Sequence, residues 1–440
     1  MDSRAKVFLH KSKNFNAGLI FIAILRISLY KYYRKIIHKT YLKNTMNKFQ
    51  NIFKPDAKYK PFFLSMLIFG IACGLYKGIL DNYLAEIVAM SEFDKGVSEF
   101  FRELPGLMFI FILAALYMFS AEKIYKIGAV IMLIGMCMHA VVPPSLVLVI
   151  LAMFVFSLGE HMLIGMRNTL CLEYAKKDHG GEALGLQNST YQIGNLAGFA
   201  VVIVVFSIFA STGQLFCAVF WGTAAVMLLG VISSMQMTGH SATDETKRRF
   251  YFRKKYNKFY MLEVFYGARK QIFLTFGPYV LVLFYNANAM VMSLLFAVSA
   301  VCCFFASPVV GKIIDRIGYK TVMIADTLIL VIVCFFYGFA HHIFSMETAF
   351  IICCINYILD SVISLASMAT AVYVQDLSEN SDEVRATLST GLSVNHLISV
   401  LIALFGGWVW KVLGIETLFI LSALLGLANS AYAATIKVKK

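Results

Sequence analysis

Two long apolar runs, residues 291–310 and 321–340, are separated only by the stretch GKIIDRIGYK at 311–320. Each run is about the 20 residues that a helix needs to cross the hydrocarbon core of a bilayer. The joint carries Lys312, Arg316 and Lys320 against one acid, Asp315. A short basic joint between two apolar helices marks a hairpin on the cytoplasmic side of a membrane. Gly311 and Gly318 suit a tight turn in which two backbones approach. Asp315 is placed to accept from nearby donors or to face a helix N-terminus.

The rest of the chain follows this pattern. Of its 440 residues 59% are hydrophobic and 15% charged, with a mean hydropathy of +0.73. Soluble domains hold roughly 25% charged residues, so this is an all-α integral membrane protein. The formal charge of +14 does not signal nucleic-acid binding. Residues 1–60 hold 14 Lys/Arg against Asp2 and Asp56, and the remainder is nearly neutral. The nine cysteines lie mostly in apolar runs without zinc-ligand spacing, so neither a metal nor another cofactor is expected. With no phosphate loop and no nucleophile–base motif, an enzyme is not expected either.

Residues 1–57 form a basic N-terminal segment whose apolar stretch is short and interrupted by Arg26. A basic interfacial helix fits it. A misassigned start with Met46 as the first residue fits equally well. Spans are expected at about 61–87, 100–119, 124–142, 145–174, 181–209 and 214–235. A polar, basic linker follows at 236–257. Six more are expected at 258–286, 291–310, 321–340, 346–375, 385–410 and 412–435. This gives twelve transmembrane helices, in bundles 58–235 and 258–440. Loops assigned alternately put nearly all Lys and Arg on one side, leaving Lys95 and Lys411 on the other. Both termini are therefore expected in the cytoplasm and the protein in the cell membrane.

The halves read as a parallel repeat. Spans four and ten each hold a mid-span acid, Glu160 and Asp360, and spans five and eleven align Gln192 with Asn395. Repeats with a site at their interface are the plan of many secondary transporters. The spacing Gly-x-x-x-Asp-Arg-x-Gly-x-Lys at 311–320 resembles the signature loop of the major facilitator superfamily. The stretch RNTLCLEYAKKDHGGEALG, from span four into span five, also resembles that superfamily. The first-half copy of the loop, YMFSAEKIYKIG, has lost the Asp-Arg-x-Gly core, and the glycine-proline pattern of drug antiporters in the fifth helix is absent. The resemblance implies alternating access about a central cavity lined by helices one, four, seven and ten. It also implies a cytoplasmic latch formed by Gly311, Asp315, Arg316, Gly318 and Lys320.

Ionisable groups at membrane depth are functional candidates, because they are costly unless paired or wet. On span seven, Arg269 and Lys270 with Gln271 lie roughly 17 Å from Lys258, near the midplane; a span starting at Arg269 would instead leave both cations at the interface. On span four, Glu160 and His161 set a carboxylate beside an imidazole, a proton-handling pair; alternatively Glu160 forms a salt bridge to Arg269 or Lys270. Asp360 has the same two readings. Lys77 and Asp81, four apart on span one, can neutralise each other. Arg102 and Glu103 stand at the outer end of span two as gate or interfacial residues. Asn195 and His396 are weaker candidates, since a lone histidine on an apolar helix usually packs. The expected pathway is thus Lys77, Glu160, His161, Gln192, Arg269, Lys270, Gln271, Asp360 and Asn395. The expected activity is proton-coupled transport of a small polar or amphipathic solute by a monomer in the lipid bilayer. Multidrug efflux and a transport-dead sensor or assembly protein are the alternatives.

Overall fold

The computed structural model describes residues 52–54, 59–116, 119–176, 180–237, 252–379 and 381–437. Residues 1–51, with the Met46 start, and most of the 236–257 linker lie outside them. The chain divides into two compact units, and the smaller comprises Met1–Ala57 with Tyr174–Ala183. Its described residues form a short antiparallel pairing. The Lys54 N–H donates to the Tyr174 carbonyl at 3.0 Å, and the Lys176 N–H to that of Ile52 at 2.9 Å.

The larger unit is helical. In chain order the described residues form α1 Tyr59–Asn82, α2 Glu92–Ala115, α3 Ala121–Val141, α4 Leu146–Tyr174, α5 Gly180–Ile208, α6 Gly213–Met235 and α7 Asn257–Leu283. Then come α8 Ala289–Ile317, α9 Tyr319–Ile343, α10 Met346–Ile363, α11 Met368–Leu377 and α12 Ser381–Ala434. A 3-10 turn at Ser364–Ser367 joins α10 and α11 into one passage. The 54-residue α12 breaks at Gly414, where φ is 88°, and so counts as two. Nine of the described segments are long and apolar enough to span a membrane, counting the α12 segment once. The helices α2 and α7 are not among them, because each carries several charged side chains. With those two included and α12 divided, the described residues make twelve passages.

Caps explain where the helices begin. Ser91 caps α2 through a reciprocal box with Asp94, so this helix starts at Glu92 rather than Phe100. The polar stretch read as an external loop is its first turns, and Arg102 and Glu103 stand mid-helix rather than at its outer end. Asn288 caps α8, Ser120 caps α3 and Ser345 caps α10 by the same physics. The signature hairpin is tighter than expected. The helix α8 runs through Gly311 to Ile317, Gly318 alone turns the chain at φ 84°, and α9 begins at Tyr319. Gly311 therefore makes no turn.

Close approach of small residues replaces the missing hydrophobic drive for helix association in lipid. A β-carbon at position 159 of α4 would lie 2.3 Å from the Met132 nitrogen of α3. Aromatic rings fill the rest of the packing. Tyr76 meets Phe156 at 4.3 Å between centroids and bonds His139 Nε2 through its hydroxyl at 3.0 Å. In the second half Phe273, Tyr337 and Phe419 form a similar group.

Contacts between α1–α6 and α7–α12 include the C-terminal turns of α1 and the start of α8. Asn82 Nδ2 donates to the Ala287 carbonyl at 2.7 Å, and Ser293 Oγ to that of Gly78 at 3.0 Å. Gly96 of α2 meets Gly407 of α12, where a β-carbon at 96 would come within 2.6 Å of the Ala403 oxygen. Phe199 faces Phe296 at 5.7 Å.

Two glycines should respond in opposite ways. Gly159→Leu forces α3 and α4 apart and should abolish a monodisperse peak on size-exclusion chromatography. A β-carbon at Gly311 meets nothing within 4 Å, so Gly311→Ala should keep or raise the melting temperature, a gain of up to about 1 kcal/mol.

Candidate functional site

One face of α2 holds the longest ionic chain. Lys95, Glu99, Arg102 and Glu103 recur at helical spacing, so their side chains meet. Lys95 Nζ lies 2.7 Å from Asp81 Oδ1 of α1 and 2.9 Å from Glu99 Oε1. Arg102 binds Glu99 Oε2 through Nε and Glu103 Oε1 through Nη2, each at 2.6 Å. Glu103 Oε2 then faces His396 Nδ1 of α12 at 3.2 Å, so the chain runs from α1 through α2 into the second half. Lys95 is only 2% exposed and packs 5.5 Å from the Tyr279 ring of α7.

Beside this chain, Lys77 pairs with Glu160 at 3.4 Å. Lys77 therefore does not neutralise Asp81, and Glu160 is not the partner of Arg269 or Lys270. Asp81 has Lys95, a residue that reads as a loop cation unless α2 starts early enough to bring it inside. Successive residues on a helix point about 100° apart. Hence Glu160 faces α1, whereas His161 turns to α2 and α12. There His161 Nδ1 donates to the Ser157 carbonyl at 2.9 Å, and its ring stands 5.3 Å from that of His396. Ser157 Oγ in turn bonds the Arg102 carbonyl.

The second half holds its own pairs. Arg269, 1% exposed, binds Asp326 Oδ2 of α9 at 3.2 Å, with the Tyr266 ring 5.2 Å away. Gln271 Nε2 donates to Thr275 Oγ1 at 2.9 Å. Glu263 accepts from Thr370 at 3.1 Å and from Asn395 at 3.4 Å. Lys270 and Asp360 form no ion pair among the described residues, although Asp360 lies within electrostatic range of both Arg269 and Lys270. Gln192, aligned with Asn395 in sequence, is exposed and accepts from Asn195 of its own helix at 3.0 Å. In the signature hairpin, Lys320 Nζ donates to the Ile436 carbonyl at 2.8 Å, inside the second half, and Arg316 is exposed. The Asp315 side chain lies outside the described residues.

A small cavity of about 20 Å³ lies among α1, α3, α4 and α5. Glu160, Arg167, Tyr191, Tyr125, Cys73 and Phe69 are among its lining residues. Arg167 stands 4.9 Å over the Tyr191 ring. Its Nε is buried with no hydrogen-bond partner among the described residues.

Sequence reasoning passes over Lys95, Glu99, Arg167 and Asp326. The Ser91–Asp94 capping signal and the Lys95–Glu99 spacing could have found the first two. Arg167 counts with the loop cations, and Asp326 sits only six residues into span nine. Among the described residues, two groups hold three ligand-type side chains within 4.8 Å of one another: the buried Glu103 and His161 with the half-buried His396, and the more exposed His341, His342 and Glu416.

Lys95→Met leaves Asp81 without its ion-pair partner and Glu99 with Arg102 alone, which should cost about 3 kcal/mol. The triple variant Asp81→Asn, Lys95→Met, Glu99→Gln should recover a large part of that loss. Melting temperatures in detergent measure both.

Residues 259–439 match the family model of the Major Facilitator Superfamily. No curated protein sequence matches the chain. Its fold is shared with solved structures at low identity. The nucleoside transporter NupG aligns with a TM-score of 0.67 at 16% identity, over 86% of this chain and 99% of that one. A D-xylose-proton symporter gives 0.67 at 15%, over 85% and 95%. A POT family transporter in complex with 5-aminolevulinic acid gives 0.64 at 12%, over 84% and 94%. The family match thus covers the second half of the chain, and the chain as a whole shares the fold of these solved transporter structures.

Proposed function

We propose that the chain carries a small polar or amphipathic solute across the cell membrane by alternating access, with protons as the coupling ion. The observation that carries this reading is the Lys77–Glu160 pair. Glu160 is buried and lines the pocket, whereas the Lys77 side chain remains 46% accessible. A charged pair with one accessible member can exchange partners, whereas one sealed on all sides only holds helices. A proton taken up by Glu160 releases Lys77, which then meets an acceptor group on the solute. Arg167 and Tyr191 offer a cation and a ring beside it. In this scheme α1–α6 and α7–α12 rock as two bundles, and the α2–α12 and α5–α8 contacts close one end. The Lys and Arg bias supports a closed end facing outside and both termini in the cytoplasm. Structural neighbours that carry nucleosides or couple D-xylose to protons support the solute class and the ion.

Flux in proteoliposomes tests the reading, with candidate solutes chosen by thermal stabilisation of the purified protein. The parent should accumulate solute under an inward pH gradient. Glu160→Gln should lose that accumulation while keeping solute exchange, and Lys77→Met should lose both. Full gradient-driven uptake by Glu160→Gln and by Asp360→Asn would exclude protonation of these acids as the coupling step. Uniport or another ion would then replace protons in the scheme.

A further inference from the structure

We propose that Glu103, His161 and His396 form a site for a divalent transition-metal ion of the zinc class, joining α2 and α4 to α12. The three ligand atoms come from three helices and already lie within 4.8 Å of one another. Two imidazoles and one carboxylate are a donor set that suits zinc, nickel or cobalt better than magnesium or calcium.

The surroundings orient each ligand. His161 donates its Nδ1 proton to the Ser157 carbonyl at 2.9 Å, which leaves Nε2 with the lone pair that a metal needs. Both rings converge on Gly106, one turn beyond Glu103 on α2. A β-carbon there would lie 2.7 Å from His161 Nε2 and 3.0 Å from His396 Nδ1. Only a residue without a side chain leaves this space open. Arg102 holds Glu103 Oε1 at 2.6 Å, so Oε2 is the oxygen turned to His396, at 3.2 Å. Bonds of about 2.0–2.1 Å in a tetrahedral site set neighbouring ligand atoms about 3.3 Å apart. The His396–Glu103 edge meets that spacing, and the other edges need only small side-chain rotations.

The chain spacing hides such a site. Its ligands stand at 103, 161 and 396, far from any short motif. Because His396 belongs to the second half while Glu103 and His161 belong to the first, a bound ion favours the state in which these helices meet. That state preference, unlike the site, rests on the alternating-access reading.

The test uses the full chain in detergent, with zinc chloride as probe, in a His341→Gln, His342→Gln background that removes the second histidine cluster. Equilibrium dialysis should find one zinc per chain. His161→Gln and His396→Gln should each weaken binding by about 100-fold or more, with melting temperatures in the absence of metal close to that of the background. Magnesium in excess should not displace the zinc. Cobalt replacing zinc should give the visible absorption of a low-coordinate nitrogen–oxygen site in the background protein, a readout that needs no substitution in the cluster itself. No zinc uptake by the background protein, unchanged binding in both glutamine variants, or a cobalt–thiolate charge-transfer band would each overturn the proposal. Flux is not part of this experiment, so metal binding can fail while transport stands, and the reverse.

Discussion

The buried charge on α2 is the constraint on which the rest of the structure depends. A lysine that is 2% exposed in a membrane-spanning bundle must have partners. Lys95 has two, Asp81 and Glu99. Glu99 is held in turn by Arg102, Arg102 by Glu103, and Glu103 by His396. The order of α1, α2 and α12 follows from satisfying these groups. Packing does the rest, since Gly96 and Gly407 let the α2 and α12 backbones meet beside the chain. A helix with this many charges is poorly suited to lipid, and α2 is not among the segments apolar enough to span by composition. It is stable only where its neighbours cover it. The same holds for α7, whose Arg269 is covered by Asp326 and the Tyr266 ring.

The two halves use charge differently. In the first, Glu160 pairs with Lys77 and lines a small cavity whose wall also holds Arg167. In the second, Arg269 and Asp326 are both buried, 1% and 8% exposed, which suits a pair that holds α7 to α9. Lys270 and Asp360 remain without ion-pair partners among the described residues. The junction between the halves carries the His161, His396 and Glu103 group.

Much of this is legible in the sequence, and its limits have physical causes. Apolar runs of membrane length mark most helices, and the spacing of the Gly311–Lys320 loop by itself points to the family. The acids and cations on helices one, four and seven are conspicuous because charge in an apolar run stands out. Pairing is what the sequence does not show. Lys77 and Asp81 share a helix face, yet each prefers a partner on another helix, and spacing along one chain cannot reveal that. The start of α2 is obscured because its first turns are polar, and that hides Lys95 and Glu99. His396 looks solitary because its partners, Glu103 and His161, lie 293 and 235 residues away in the chain and on other helices. The turn at Gly318 matches its expected place, whereas the turn expected at Gly311 is absent because α8 runs through it.

The central claim is that the α2–α12 end of the molecule opens and closes, with Glu160 governing the balance. Pulsed electron resonance between spin labels at Val147 and Met346, both exposed at the ends of α4 and α10, measures it directly. Two distance populations are predicted, a shorter one matching this structure and a longer one. Lowering the pH should shift their ratio in the parent and leave it fixed in Glu160→Gln. A single distance distribution, identical at every pH in parent and variant, would contradict the account.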